Sequence, residues 1–128
     1  MNSVLERNKR NVQEFYSLAF NDCEPRKAVE RYTGADYIQH NPGVVSGKQG
    51  FIDYFEKLAK EYPGKKVHFV RTIAEGDLVV VHTRQEWPGF NEWASVDIFR
   101  CDADGKIVEH WDVLQEVPTK KVNNNTMF

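Results

Sequence analysis

The spacing of apolar positions changes character near residue 65. Upstream, Val4, Leu5, Val12, Phe15, Tyr16, Ala19 and Phe20 recur at helical intervals among Glu, Arg and Lys, which predicts an amphipathic helix over 3–20. Asn21-Asp22 punctuates it. Pro25 suits a helical first turn, and Ala28, Val29 and Tyr32 carry a short second helix towards Gly34. The stretch ADYIQHNPGV reads as extended, because the residue before Pro42 avoids the α region. Ser46 is then expected to cap a third helix, whose stripe of Phe51, Ile52, Phe55, Leu58, Ala59 and Tyr62 stops at Pro63-Gly64.

From Lys66 onward the period is that of strands. Val67–Ile73, Leu78–Trp87, Trp93–Arg100 and Lys106–Val117 are rich in β-branched and aromatic residues. Glu75-Gly76-Asp77, Pro88-Gly89-Phe90-Asn91 and Asp102-Ala103-Asp104-Gly105 separate them, each short enough for a hairpin. Helices first and an antiparallel meander afterwards predict an α+β fold rather than alternating βαβ units. The chain reads as one domain, 1–128, with a helical part to residue 64, a sheet part over 66–117 and a polar tail over 118–128 ending in Met127-Phe128. Long strands packed on one side by helices make a curved sheet, which encloses either a pocket or a filled core.

Composition narrows the field. With 128 residues, 41% hydrophobic and 28% charged, the chain has the balance of a globular domain large enough for a proper core. The net charge is −2, and Lys65-Lys66 and Lys120-Lys121 are only pairs, so a phosphate-tracking nucleic-acid surface is not expected. No stretch approaches a membrane span, and MNSVLERNKRNVQEF reads as a polar helix rather than a signal peptide. Cys23 and Cys101 stand in unrelated contexts without metal spacing, which fits a reduced, cytoplasmic setting.

The candidate chemistry lies in the last hairpin, EHWDVLQEV over 109–117. His110 and Asp112 share a strand face with Val108 and Leu114, their α-carbons about 6.6 Å apart. The preceding strand offers Asp97 beside Trp93, Ser95 and Phe99, and the one before that offers His82 with Leu78, Val80 and Arg84. If the meander brings these faces together, His82, Asp97, His110 and Asp112 form a polar cluster inside an aromatic-walled cavity. Desolvation there raises a carboxylate pKa and lowers that of a histidine, which suits proton transfer to and from a bound carbonyl compound. The plainer reading is a structural histidine bonded to the backbone, with Trp87, Trp93 and Trp111 filling space.

A second stretch, DYIQHNP over 36–42, packs a phenol, an amide and an imidazole into a turn. Tyr37 is a candidate donor to an oxyanion, and His40 a candidate for proton transfer at the pocket edge. Against this, Gln39 and Asn41 would hold the turn while His40 faces solvent. Glycine-rich phosphate loops and G-x-S-x-G are absent. A metal held by His110 and Asp112 with His82 or His40 is a minor reading, since the histidines form no compact motif.

YIQHNP, SGKQGFIDYF, GDLVVVHTR, VDIFRCDADGKIVEHWDV and the terminal NTMF together resemble the SnoaL-like branch of the nuclear-transport-factor-two-like superfamily. The resemblance covers nearly the whole chain, and the final hairpin is its most specific part. It implies a cone-shaped fold with a strongly curved sheet around a deep pocket, and a homodimer formed through outer sheet faces. It also implies intramolecular aldol condensation without metal or organic cofactor, as in the polyketide cyclases of this branch, with an aspartate as acid/base. Asp112 matches that aspartate best and Asp97 competes; His110 and His82 would orient substrate or shuttle the proton.

Two functions follow as expectations. One is a cofactor-independent enzyme acting α to a carbonyl, by cyclisation, isomerisation or dehydration, on a small hydrophobic metabolite. Its expected substrate contacts are Tyr37, His40, Trp87, Trp93 and Phe99. The other is a non-catalytic dimer that binds an apolar ligand or a protein partner.

Overall fold

The computed structural model describes residues 3–128; Met1 and Asn2, the first two residues of the expected polar N-terminal helix, lie outside the described residues. Helix α1 spans Ser3–Phe20, α2 Pro25–Tyr32 and α3 Lys48–Glu61, with strand β1 (Thr33–Gln39) between the second and third helices. Strands β2 (Lys66–Glu75), β3 (Leu78–Glu86), β4 (Trp93–Cys101) and β5 (Ile107–Glu116) follow. The five strands form one sheet in the order β1-β5-β4-β3-β2, antiparallel except where β1 lies parallel to β5. The α+β expectation therefore holds. The segment read only as extended is a full edge strand, completed by its pairing with the catalytic-looking hairpin.

Local chemistry accounts for most boundaries. Pro25 occupies the first turn of α2, where its missing N–H costs nothing. The expected Ser46 cap of α3 is not formed: Gly47 is the N-cap residue, at φ 98°, and the Ser46 hydroxyl instead accepts the backbone N–H of Gln39. Glycine is required there because a left-handed φ carries a Cβ penalty. In the β4–β5 turn the Asp102 carboxylate accepts the N–H groups of Asp104 and Lys106. Asn11 of α1 donates to the Gly105 carbonyl and pins this turn to the helix layer.

The core lies between the helices and the concave sheet face. Val12, Phe15 and Ala19 of α1 meet Phe51 and Phe55 of α3 and Val79, Val81 and Phe99 of the sheet, all buried. Phe15 stacks on Phe51 at 4.9 Å and meets Phe99 edge-on at 6.2 Å. A bulge between Arg100 and Cys101 turns Ile107 into this core. No helix among the described residues is long and apolar enough to cross a membrane.

Register decides which side chains face inward. Val79, Phe99 and His110 lie side by side, as do Val81, Asp97 and Asp112, and Thr83, Ser95 and Leu114. His82 belongs to the opposite row, beside Val96 and Val113, on the outer face. The apolar C-terminus docks there too: His82 Nε2 donates to the Met127 carbonyl at 2.9 Å, and the Phe128 ring lies 6.1 Å from the imidazole.

Candidate functional site

Two adjoining chambers occupy the concave side. The inner one, about 80 Å³, is lined by Tyr16, Tyr37, Asp97, Phe99, His110 and Asp112 among others. The outer one, about 670 Å³, is walled by Tyr54, Tyr62, Trp87, Phe90 and Trp93. Gln85, Trp87, Tyr54, Leu58 and Leu114 contribute to both, so they form the passage between them.

Asp97 is the hub of the inner chamber and is only 1% exposed. Its Oδ1 lies 2.9 Å from His110 Nε2, and its Oδ2 accepts the Ser95 hydroxyl at 2.6 Å. Tyr16 from α1 reaches both oxygens at 3.4 Å. A directional chain stands behind these donors. Trp87 Nε1 donates to Gln85 Oε1, so the Gln85 amide nitrogen faces Tyr16 and Ser95, and the Tyr16 proton is left for Asp97. Thr83 and Ser95 share a hydrogen bond of 2.6 Å. Donors thus converge on Asp97 from three side chains.

His110 is oriented from both ends. Its Nδ1 lies 2.7 Å from Gln39 Oε1, an oxygen that also accepts the Asn41 backbone N–H. Nδ1 therefore carries hydrogen, and the Nε2 contact with Asp97 holds one proton between base and acid. The Tyr37 ring lies nearly parallel to the imidazole at 6.4 Å, and Phe99 packs on it at 4.7 Å.

Asp112 differs from Asp97. Its side chain is 8% exposed, and both of its oxygens are met by a single amide nitrogen, Asn41 Nδ2, at 2.9 and 3.0 Å. Its Oδ2 lies 3.9 Å from His110 Nε2. Burial raises its pKa above the usual carboxylate range; the His110 charge lowers it, Asp97 raises it further and the Asn41 bond lowers it. The Tyr16 and Tyr37 hydroxyls are pushed well above the normal phenol value, mainly by burial and then by Asp97 and Asp112. Both phenols are neutral donors at physiological pH.

The expected cluster is thus assembled in three of its four members: Asp97, His110 and Asp112. His82 is a correction. It shares its strand face with Leu78, Val80 and Arg84 as read, but that face is the outer one, where it meets Arg71 and Met127. His40 is a second correction, since it stacks on Trp111 at 4.8 Å and bonds Glu109 at 2.7 Å on the outer face. Its neighbours Gln39 and Asn41 are the pair that point inward. Tyr37, Phe99 and Trp87 line the inner chamber, and Trp87 and Trp93 the outer. Tyr16, Gln85, Gln39 and Asn41 carried no catalytic signal in the sequence; a tyrosine amid the apolar stripe of α1 was the nearest hint.

Among the described residues, Asp97, His110 and Asp112 form a group of metal-capable side chains, with donor atoms within 4.8 Å of one another. The third ligand read from sequence, His82 or His40, is not among them. A cation there would have to replace the Asp97–His110 hydrogen bond.

A family model for the SnoaL-like domain matches residues 12–110. Solved structures share the fold at low identity. TsrD from Streptomyces laurentii is 20% identical with a TM-score of 0.70, covering 84% of this chain and 87% of that one. A protein from Jannaschia sp. CCS1, provisionally named a SnoaL-like polyketide cyclase, is 19% identical with a TM-score of 0.72, covering 89% of both chains. AclR from Streptomyces galilaeus, provisionally named a hydroxylase, is 20% identical with a TM-score of 0.69, covering 88% of this chain and 81% of that one. No curated protein matches the sequence.

Proposed function

The chain belongs to the SnoaL-like domain family, and on that premise we propose that it removes a proton α to a carbonyl, with Asp112 as the base. The observation that carries this reading is the contrast between two buried carboxylates. Asp97 is surrounded by donors from His110, Ser95 and Tyr16. Among the described residues, Asp112 receives hydrogen bonds only from Asn41, and it borders the inner chamber. Its pKa is raised, mainly by burial, which makes it a stronger base than a free carboxylate.

In this mechanism the reacting carbonyl enters the inner chamber and the rest of the substrate fills the outer one. Asp112 takes the α-proton. The proton held between Asp97 and His110 lies beside it, so His110 serves as the acid that meets the developing enolate oxygen. Carbon–carbon bond formation, double-bond migration or loss of water then depends on the substrate. The names of two structural neighbours, one a polyketide cyclase and one a hydroxylase, both provisional, fit an enzyme and leave reaction and substrate open.

Two copies pair, in this reading, through the outer sheet face, where Val96 and Val113 are 43% and 76% exposed beside Ile73 and Leu78.

The test is deuterium incorporation from heavy water into small ketones and β-dicarbonyl compounds. Wild type is expected to accelerate exchange and Asp112→Asn to abolish it, with Asp97→Asn retaining a measurable rate. Exchange that survives Asp112→Asn would reject Asp112 as the base. Binding of these compounds without exchange would favour the non-catalytic reading.

A further inference from the structure

The outer chamber carries chemistry that acid/base catalysis does not use. Tyr54, Tyr62, Trp87, Phe90 and Trp93 wall it, and Glu116 stands in its lining. Among the described residues, no lysine or arginine lines either chamber. Arg84, which shares β3 with the lining residue Gln85, is engaged by Glu86 and Glu92. Glu116 is exposed, and its Oε2 is met by the neutral Asn91 amide at 2.9 Å. A carboxylate with no cationic partner among the described residues therefore faces a cavity of aromatic rings.

We propose that the outer chamber binds an organic ammonium group, quaternary or alkylated, on the ligand whose carbonyl end enters the inner chamber. Ring faces attract cations through their quadrupole, and this attraction grows as the cation is desolvated. Rings alone would accept a neutral hydrocarbon equally well; the Glu116 carboxylate breaks that tie and disfavours an anion. Glu116 and Asp112 lie on the same face of β5, four residues and about 13 Å apart. A ligand carrying its ammonium at the outer end and its carbonyl at the inner end spans that distance. Phe90 is 66% exposed, with its ring against Tyr62 at 5.4 Å, so one wall of the cage stands ready at the mouth. The proposal uses the catalytic reading only to say which end of the ligand is inside.

The three tryptophans make the test internal to the protein. Trp87 and Trp93 line the outer chamber, whereas Trp111 lies on the opposite face of the sheet against His40. The full chain, labelled with nitrogen-15, is titrated with benzyltrimethylammonium, with its uncharged carbon analogue neopentylbenzene, and with phenylacetate. The cation is expected to shift the indole signals of Trp87 and Trp93 and leave Trp111 in place, with a Kd at least about tenfold below that of the neutral analogue. Phenylacetate is expected to produce no shift at matched concentration. Glu116→Gln, an exposed and isosteric change, should remove most of the cation's advantage while leaving the neutral analogue unaffected. Equal affinity for cation and neutral analogue, tighter binding of phenylacetate, or an unchanged preference in Glu116→Gln would each overturn the proposal. Benzyltrimethylammonium has no carbonyl, so this result is independent of whether Asp112 catalyses exchange.

Discussion

His110 Nε2 and Asp97 Oδ1 face each other at 2.9 Å from adjacent strands, in a contact that admits one proton. Because Gln39 fixes hydrogen on the other ring nitrogen, the pair acts as a unit. Each partner covers the desolvation cost of the other.

That coupling predicts an asymmetric response to mutation. His110→Ala leaves Asp97 buried without its counter-charge and should destabilise the fold by about 3 kcal/mol. Asp97→Asn removes the charge itself and should cost less, because the new amide nitrogen can donate to the unprotonated Nε2 of a neutral His110. Urea unfolding of both variants at pH 7 measures the difference; equal costs would mean that the pair does not share a proton.

Asp112 carries a prediction about pH. Its pKa is raised in the folded protein, so folding favours the protonated acid. The group therefore supports stability fully at pH below its unfolded value, and that support is lost as pH rises through the raised folded value. Asp112→Asn, neutral throughout, should raise Tm at pH 7, with the gain fading as the pH is lowered towards 4. A thermal melt series across that range checks it. A variant less stable than wild type at pH 7 would contradict the burial cost.

Asn41 provides the hydrogen bonds to Asp112 that oppose its raised pKa. Asn41→Ala should move the rise of the exchange rate to higher pH and lower the plateau about tenfold, through loss of orientation. A pH–rate profile with an unchanged midpoint would remove Asn41 from the positioning of the base.

The two cysteines should react unequally. Cys101 is buried and its thiol is pushed up to about 11, mainly by desolvation, whereas Cys23 is exposed. Iodoacetamide at pH 8 should label Cys23 in the native protein, and Cys101 only after unfolding. Rapid labelling of both would mean that the Cys101 environment opens readily.

Pairing through the outer sheet face predicts that Val113→Glu lowers the sedimentation coefficient towards that of a monomer without changing the fold. Val113 is 76% exposed in the single chain, so the substitution costs little unless a second copy covers it. No change in sedimentation would place any self-association elsewhere.

Much of this protein was legible along the chain. The helical stripe ending at Phe20, the DADG turn and the strand alternation of β4 and β5 each have one physical solution. Asp97, His110 and Asp112 fall on one concave face because Phe99 and Leu114 share their parity with them. The YIQHNP segment declared its extended form through Pro42, although its role as a fifth strand depended on β5 being there to pair with it.

Tertiary structure decided the rest. In β3 the run Leu78-Val79-Val80-Val81 is apolar on both faces, so period two alone does not say which face is buried, and His82 falls on the outer one. Pairing with β4 sets that parity by aligning Val81 with Asp97. At the end of β1 the hydrogen bonds of Gln39 and Asn41 to His110 and Asp112 turn His40 outward to Glu109. Tyr16 lies 81 residues before Asp97 and enters the site only because α1 packs across the sheet. Short-range pattern specifies the elements; which polar groups meet is set by register and packing between residues far apart in the chain.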